Sequence, residues 1–168
     1  LYVSNGASPA VKFMNSTLFS NRTTVADQSA CSNIKLVGKE TTSLKIYNSS
    51  MFGTYFVENG TMELFNSLVE ATGENAVLNN SFVAYKHLQN RKDDMDMHSH
   101  RKFADSFKYT LTFNCGFLPV LELKKDGHAD LTTKVPTIES VDGFDLRYDE
   151  CNKMRGEESC MGATQYEE

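Results

Sequence analysis

One cluster in the chain has the residue types of a metal site: Asp93-Asp94-Met95-Asp96-Met97-His98-Ser99-His100. In an extended segment Asp94, Asp96, His98 and His100 share one side, and carboxylates with imidazoles can hold a divalent cation. Arg91, Lys92, Arg101 and Lys102 flank the run. Charge on both sides favours water, and ligand geometry needs a rigid strand that nothing there signals. The segment therefore reads as a solvated loop, and neither metal nor cofactor is expected. Enzyme signatures are absent: there is no Gly-x-Ser-x-Gly elbow, no His-Glu-x-x-His and no dinucleotide fingerprint. Gly38-Lys39-Glu40-Thr41 touches the end of a phosphate-loop pattern but lacks the upstream glycine and the adjacent hydroxyl. The expectation is a binder, not an enzyme.

Two other residue sets carry chemistry. Cys31, Cys115, Cys151 and Cys160 are an even set without zinc spacing, which fits two disulfides in one of three pairings. Asn15, Asn21, Asn48, Asn59 and Asn79 each begin a glycan acceptor pattern. Composition alone gives about two such matches, so the excess points to a secreted, extracellular glycoprotein. No sequon follows residue 82.

These groups need elements to position them, and the dominant periodicity is two, the signature of half-buried strands. Over 106–115, Phe107, Tyr109, Leu111, Phe113 and Cys115 alternate with Ser106, Lys108, Thr110, Thr112 and Asn114. Val11 with Phe13, Ile34 with Leu36, Leu44 with Ile46, and Phe82 with Ala84 repeat the pattern. Asn59-Gly60 suits a type I′ turn and predicts a hairpin over 55–64. Asp126-Gly127 predicts a second, joining 120–123 to 129–131. Val141, Phe144, Tyr148, Cys151 and Met154 recur at three- and four-residue steps, the face of a helix that Asp142 could cap. No internal repeat is read. The chain is expected to be one domain over 1–168: mainly β, an eight-stranded antiparallel up-and-down barrel with a C-terminal α-helix. Its inward aromatic side chains would fill the barrel or line a cavity. Phe13, Phe56, Phe65, Tyr85, Phe107, Tyr109 and Phe113 are the candidate ligand contacts. An inward carboxylate such as Asp130 could pair with an amine, to which aromatic faces add attraction. Glu63 and Glu70 read as surface residues.

The order of these features resembles the tick salivary lipocalins, the histamine-binding group in particular. The likeness is carried by 11–19 with the polar turn Asn21-Arg22-Thr23, by Cys31 with Ile34, Leu36 and Val37, by 107–115 ending in Cys115, and by Gly127-His128-Ala129-Asp130-Leu131 followed by Val135-Pro136. The chain departs from that family in having no tryptophan. The resemblance implies the lipocalin barrel, disulfides Cys31–Cys160 and Cys115–Cys151, and sequestration of a host inflammatory mediator.

A net charge of −5 lacks the footprint of a nucleic-acid or anionic-membrane binder. No apolar run is long enough for a membrane span. Two functions are compatible with these features. One is sequestration of a small hydrophobic or amine ligand in the barrel cavity. The other is an immune-modulating or receptor-binding domain that meets a host protein through an unglycosylated face.

Overall fold

Four short stretches share a pattern that governs the architecture: Phe13-Met14-Asn15-Ser16, Ile46-Tyr47-Asn48-Ser49, Leu64-Phe65-Asn66-Ser67 and Leu78-Asn79-Asn80-Ser81. In the computed structural model, which describes residues 2–3, 8–18, 34–87, 103, 105–111, 119–124 and 126–165, each Asn-Ser pair is a corner at which the chain turns. Asn15, Asn48, Asn66 and Asn80 all adopt positive φ, between 44° and 49°. Asparagine tolerates this left-handed conformation better than other residues bearing a Cβ. The strands before and after the corners stack in parallel, rung upon rung.

The first rung is β1 (Tyr2–Val3), β2 (Ala10–Met14) and β3 (Thr17–Leu18). Then come β4 (Ile34–Tyr47), β5 (Ser50–Phe65), β6 (Leu68–Gly73), β7 (Ala76–Asn79) and β8 (Phe82–His87). All their pairings are parallel. Met14 lies over Tyr47, Tyr47 over Phe65, and Phe65 over Asn79. Past the corner, Thr17, Ser50, Leu68 and Phe82 stack likewise. The result is a coil of parallel strands, each rung contributing to successive walls.

This overturns the expected antiparallel barrel. Period-two alternation reports one buried face per strand and is silent on strand direction, so a coil satisfies it as well as a barrel does. It also corrects the reading that no repeat exists. The rungs differ in length, with 33, 18 and 14 residues separating Met14, Tyr47, Phe65 and Asn79. A fixed period is therefore absent, and only the corners recur.

Residues pointing into the coil form one core: Ile34, Leu36, Leu44, Ile46, Met51, Tyr55, Val57, Met62, Leu64, Val69 and Ala76. The alternate residues of one wall point outward into a second core. There Leu68, Ala71 and Ala84 meet Phe103, Phe107, Leu123, Leu131, Val135, Cys160 and Met161, with Phe52 and Phe82 packed against them. The outer layer holds two antiparallel pairs, β9 (Phe107–Leu111) with β10 (Pro119–Leu123) and β11 (Lys134–Pro136) with β14 (Glu158–Cys160). A third is the hairpin of β12 (Ser140–Val141) and β13 (Phe144–Asp145).

Three local expectations fail for stated reasons. The C-terminal helix is absent: Asp142 and Gly143 adopt φ of 51° and 83° and close the β12–β13 hairpin, a turn the Asp-Gly pair favours. Phe144 and Met154, placed on the helix face, are 62% and 70% exposed. The hairpin over 55–64 is instead one continuous strand, β5. Asn59 does take positive φ, but the turn bends β5 between two walls of the coil, and its arms pair with β4. After Asp126-Gly127 the chain forms α1 (Ala129–Thr132), and β10 pairs with β9, so the second hairpin is also absent. Among the described residues no helix is long and apolar enough to cross a membrane.

Candidate functional site

The interior of the coil is packed with aliphatic side chains and Tyr55, whose hydroxyl donates to the Phe52 carbonyl at 2.8 Å. These described side chains fill the space between the strands. The candidate aromatics scatter accordingly. Phe13 packs against the coil interior. Phe65 stacks on Tyr47, with ring centroids 4.7 Å apart and planes 6° from parallel. Phe107 joins an aromatic cluster with Phe52 and Phe103, at 5.2 and 5.1 Å, that fills the space between coil and outer layer. Tyr85, Tyr109 and Asp130 lie on β8, β9 and α1, with side chains outside the described residues. Phe113, Cys31, Cys115 and Asn21 also lie outside them, as do Asp94, Asp96, His98 and His100. Cys151 and Cys160 are buried in the outer layer. Among the described residues no group of three His, Cys, Asp or Glu could hold a metal.

Of the candidate ligand contacts, Phe56 lines a groove. The bend of β5 at Asn59 and the Glu74-Asn75 turn between β6 and β7 lie side by side, and Asn75 Nδ2 donates to the Gly60 carbonyl at 3.4 Å. Between them opens a groove of about 330 Å³ lined by Phe56, Val57, Glu58, Asn59, Gly73, Glu74 and Asn75. Each position has a local reason. Gly60 sits where a Cβ would fall 2.2 Å from the Thr42 carbonyl oxygen, so only glycine lets the bend approach the rung beside it. Gly73 leaves room for the Phe56 ring: a Cβ there would lie 3.2 Å from it. Glu58 faces Lys35 at 3.5 Å, with both side chains more than a third exposed, so the pair constrains Glu58 only weakly. Two carboxylates, two amides and one aromatic ring thus line a surface recess, with no cation among its described lining residues and Lys35 beside Glu58. Sequence reasoning marked Phe56 and Asn59 but missed Glu58, Glu74 and Asn75. Their meeting depends on the rung stacking.

The sequons take on a different meaning. Three of them, at Asn15, Asn48 and Asn79, overlap Asn-Ser corners. The serines there form a ladder: the amide of Ser16 donates to Ser49 Oγ at 3.2 Å, that of Ser49 to Ser67 Oγ at 3.2 Å, and that of Ser67 to Ser81 Oγ at 3.0 Å. Each hydroxyl donates back to the carbonyl two residues earlier, at 2.6–2.9 Å. Asn48 is fully buried, which leaves no space for a sugar on its Nδ2. Asn15 Nδ2 donates to the Tyr148 carbonyl at 2.6 Å. Asn59, at the lip of the groove, is exposed. Much of the sequon excess is thus the signature of a structural corner.

Carboxylate burial is uneven. Glu63 pairs with Lys45 at 2.7 Å on the outer surface of the coil, and this partner raises the Lys45 pKa. Glu70, expected on the surface, is 6% exposed and accepts a hydrogen bond from the Gly53 amide at the irregularity in β5. A bulged backbone frees an amide for a side chain, a signal that sequence alone does not carry. In the outer layer buried Arg155 donates to the carbonyls of Cys160, Gly162 and Ala163 at 3.4, 3.1 and 3.2 Å. Asp149, also buried, accepts from the amides of Cys151, Lys153 and Gln165 at 2.8–2.9 Å. These two residues shape the C-terminal loop and belong to its architecture. No protein-family model, no curated protein and no solved structure matches this chain.

Proposed function

We propose that the protein is a secreted binding module that recognises a cationic group, an amine or a guanidinium, in the open groove at Phe56. The juxtaposition of Phe56 with Glu58 and Glu74 carries this reading. Carboxylates supply charge-assisted hydrogen bonds to a cation, and an aromatic face adds attraction. Asn59 and Asn75 add amide acceptors that fix orientation. The net charge of −5 favours approach of a positive partner. An open groove suits a protruding side chain of a protein partner as readily as a free amine. Calorimetry with histamine and with an arginine-rich peptide separates the two sources. Binding of either probe, lost in Glu58→Gln/Glu74→Gln and weakened in Phe56→Ala, supports the reading. Heats indifferent to all three substitutions refute it. Secretion and two disulfides remain part of the proposal, and peptide mapping of unreduced native protein tests them.

A further inference from the structure

The coil has two ends, and their hydrogen-bonding patterns are complementary. Inside the stack every corner repeats three bonds. The asparagine amide donates to the next rung's carbonyl, as Asn15 does to Tyr47 at 3.1 Å, Asn48 to Phe65 at 2.9 Å and Asn66 to Asn79 at 3.0 Å. The serine amide donates to the next rung's serine hydroxyl. The residue after the serine donates to the previous rung's serine carbonyl, as Ser50 does to Ser16, Leu68 to Ser49 and Phe82 to Ser67. At the last corner the amides of Asn80 and Ser81 have no acceptor among the described residues, and Leu78, aligned with inward-facing Leu64, is 40% exposed. The four residues of β7, Ala-Val-Leu-Asn, include no charge to guard this edge.

At the first corner the outer layer replaces a preceding rung. Lys12 pairs with Asp142, Asn15 donates to Tyr148, and Thr17 Oγ1 donates to Glu150 Oε1 at 2.6 Å. The segment 142–150 therefore runs along β2 and β3. The hydroxyl bond from Thr17 holds the Glu150 carboxylate at this corner, on the side where a previous rung would lie.

We infer that Glu150 is a plug on a self-association surface: when the 142–150 segment lifts, the first rung of one copy can stack on the last rung of another. In that joint Ser81 would donate to the second copy's Ser16 hydroxyl, Asn80 to its Met14 carbonyl, and its Thr17 to the Ser81 carbonyl. Leu78 would cover Phe13, which occupies the same column through Ile46 and Leu64. The contact is head-to-tail and does not close, so it extends into chains of copies.

Sedimentation velocity across a concentration series tests this. The wild type is expected to stay monomeric. Glu150→Ala, and separately Thr17→Val, are expected to form a concentration-dependent series of oligomers. Adding Leu78→Lys, which sets an ammonium over the incoming Phe13, is expected to return both to monomers. Folded variants, judged by wild-type circular dichroism, that stay monomeric at every concentration overturn the inference. Aggregates that Leu78→Lys fails to dissolve overturn it equally, because they report misfolding and not end-to-end stacking.

Discussion

The backbone amide of Ser49 donates to the hydroxyl of Ser67, 3.2 Å away on the rung beside it, and that hydroxyl donates to the carbonyl of Phe65 at 2.8 Å. One buried side chain thus satisfies polar backbone groups on two rungs at a corner where strand pairing is interrupted. Ser67→Ala leaves the Ser49 amide buried without an acceptor. The expected loss is about 1–3 kcal/mol in urea denaturation. Thr61→Ala, at an exposed position, is expected to shift stability by less than about 0.5 kcal/mol.

Glycine substitutions separate crowding from backbone strain. At Gly143, φ is 83° and nothing lies within 4 Å of an added Cβ, so Gly143→Ala costs only left-handed strain, about 1–2 kcal/mol. Gly60→Ala drives a methyl into the Thr42 carbonyl and must displace backbone between two rungs. It is expected to lower the thermal midpoint more than Gly143→Ala, a ranking that calorimetry of the two variants checks.

Two carboxyls respond to acid in opposite senses. Asp145 lies at the surface, and its hydrogen bonds from the Arg147 side chain and backbone amide hold it down to about 2. The stability it contributes is complete above its unfolded pKa of 3.8 and fades as pH falls toward 2. Burial pushes Glu150 up from 4.5, against the lowering effect of the Thr17 hydroxyl. The folded chain therefore takes up this proton first. The resulting penalty applies in full above the folded pKa and is relieved as pH falls through it toward 4.5. Carboxyl NMR titration should find Asp145 the more acidic of the two. Arg147→Ala should return Asp145 toward the ordinary range without moving Glu150.

Burial orders the sequons. In a glycosylating host, glycopeptide mapping is expected to find sugar on Asn59 and none on Asn48. Sugar at Asn48 would mean that its corner is not stacked in the expressed protein.

Much of this was legible in the residues, but under another meaning. Strand positions follow from alternation: Leu44 and Ile46, or Val11 and Phe13, face inward as the pattern requires. Direction was not legible, because parallel and antiparallel strands bury the same alternate side chains. The Asn-Ser corners were visible at Asn15, Asn48 and Asn79-Asn80 but coincide with the acceptor pattern for sugar, and Asn66-Ser67, followed by leucine, escapes that pattern. Of the groove, only Phe56 and the Asn59 turn were marked. Glu58 and Glu74 meet only because two bends of unequal rungs fall side by side, a three-dimensional coincidence without a local trace.

Strand β6 serves two masters: Val69 faces the coil interior, while Leu68 and Ala71 face the outer layer. A wall shared in this way ties the fate of both halves together. Heating should yield a single calorimetric transition, and trimming the chain after β8 should expose a greasy flank and cost solubility before it costs rung order.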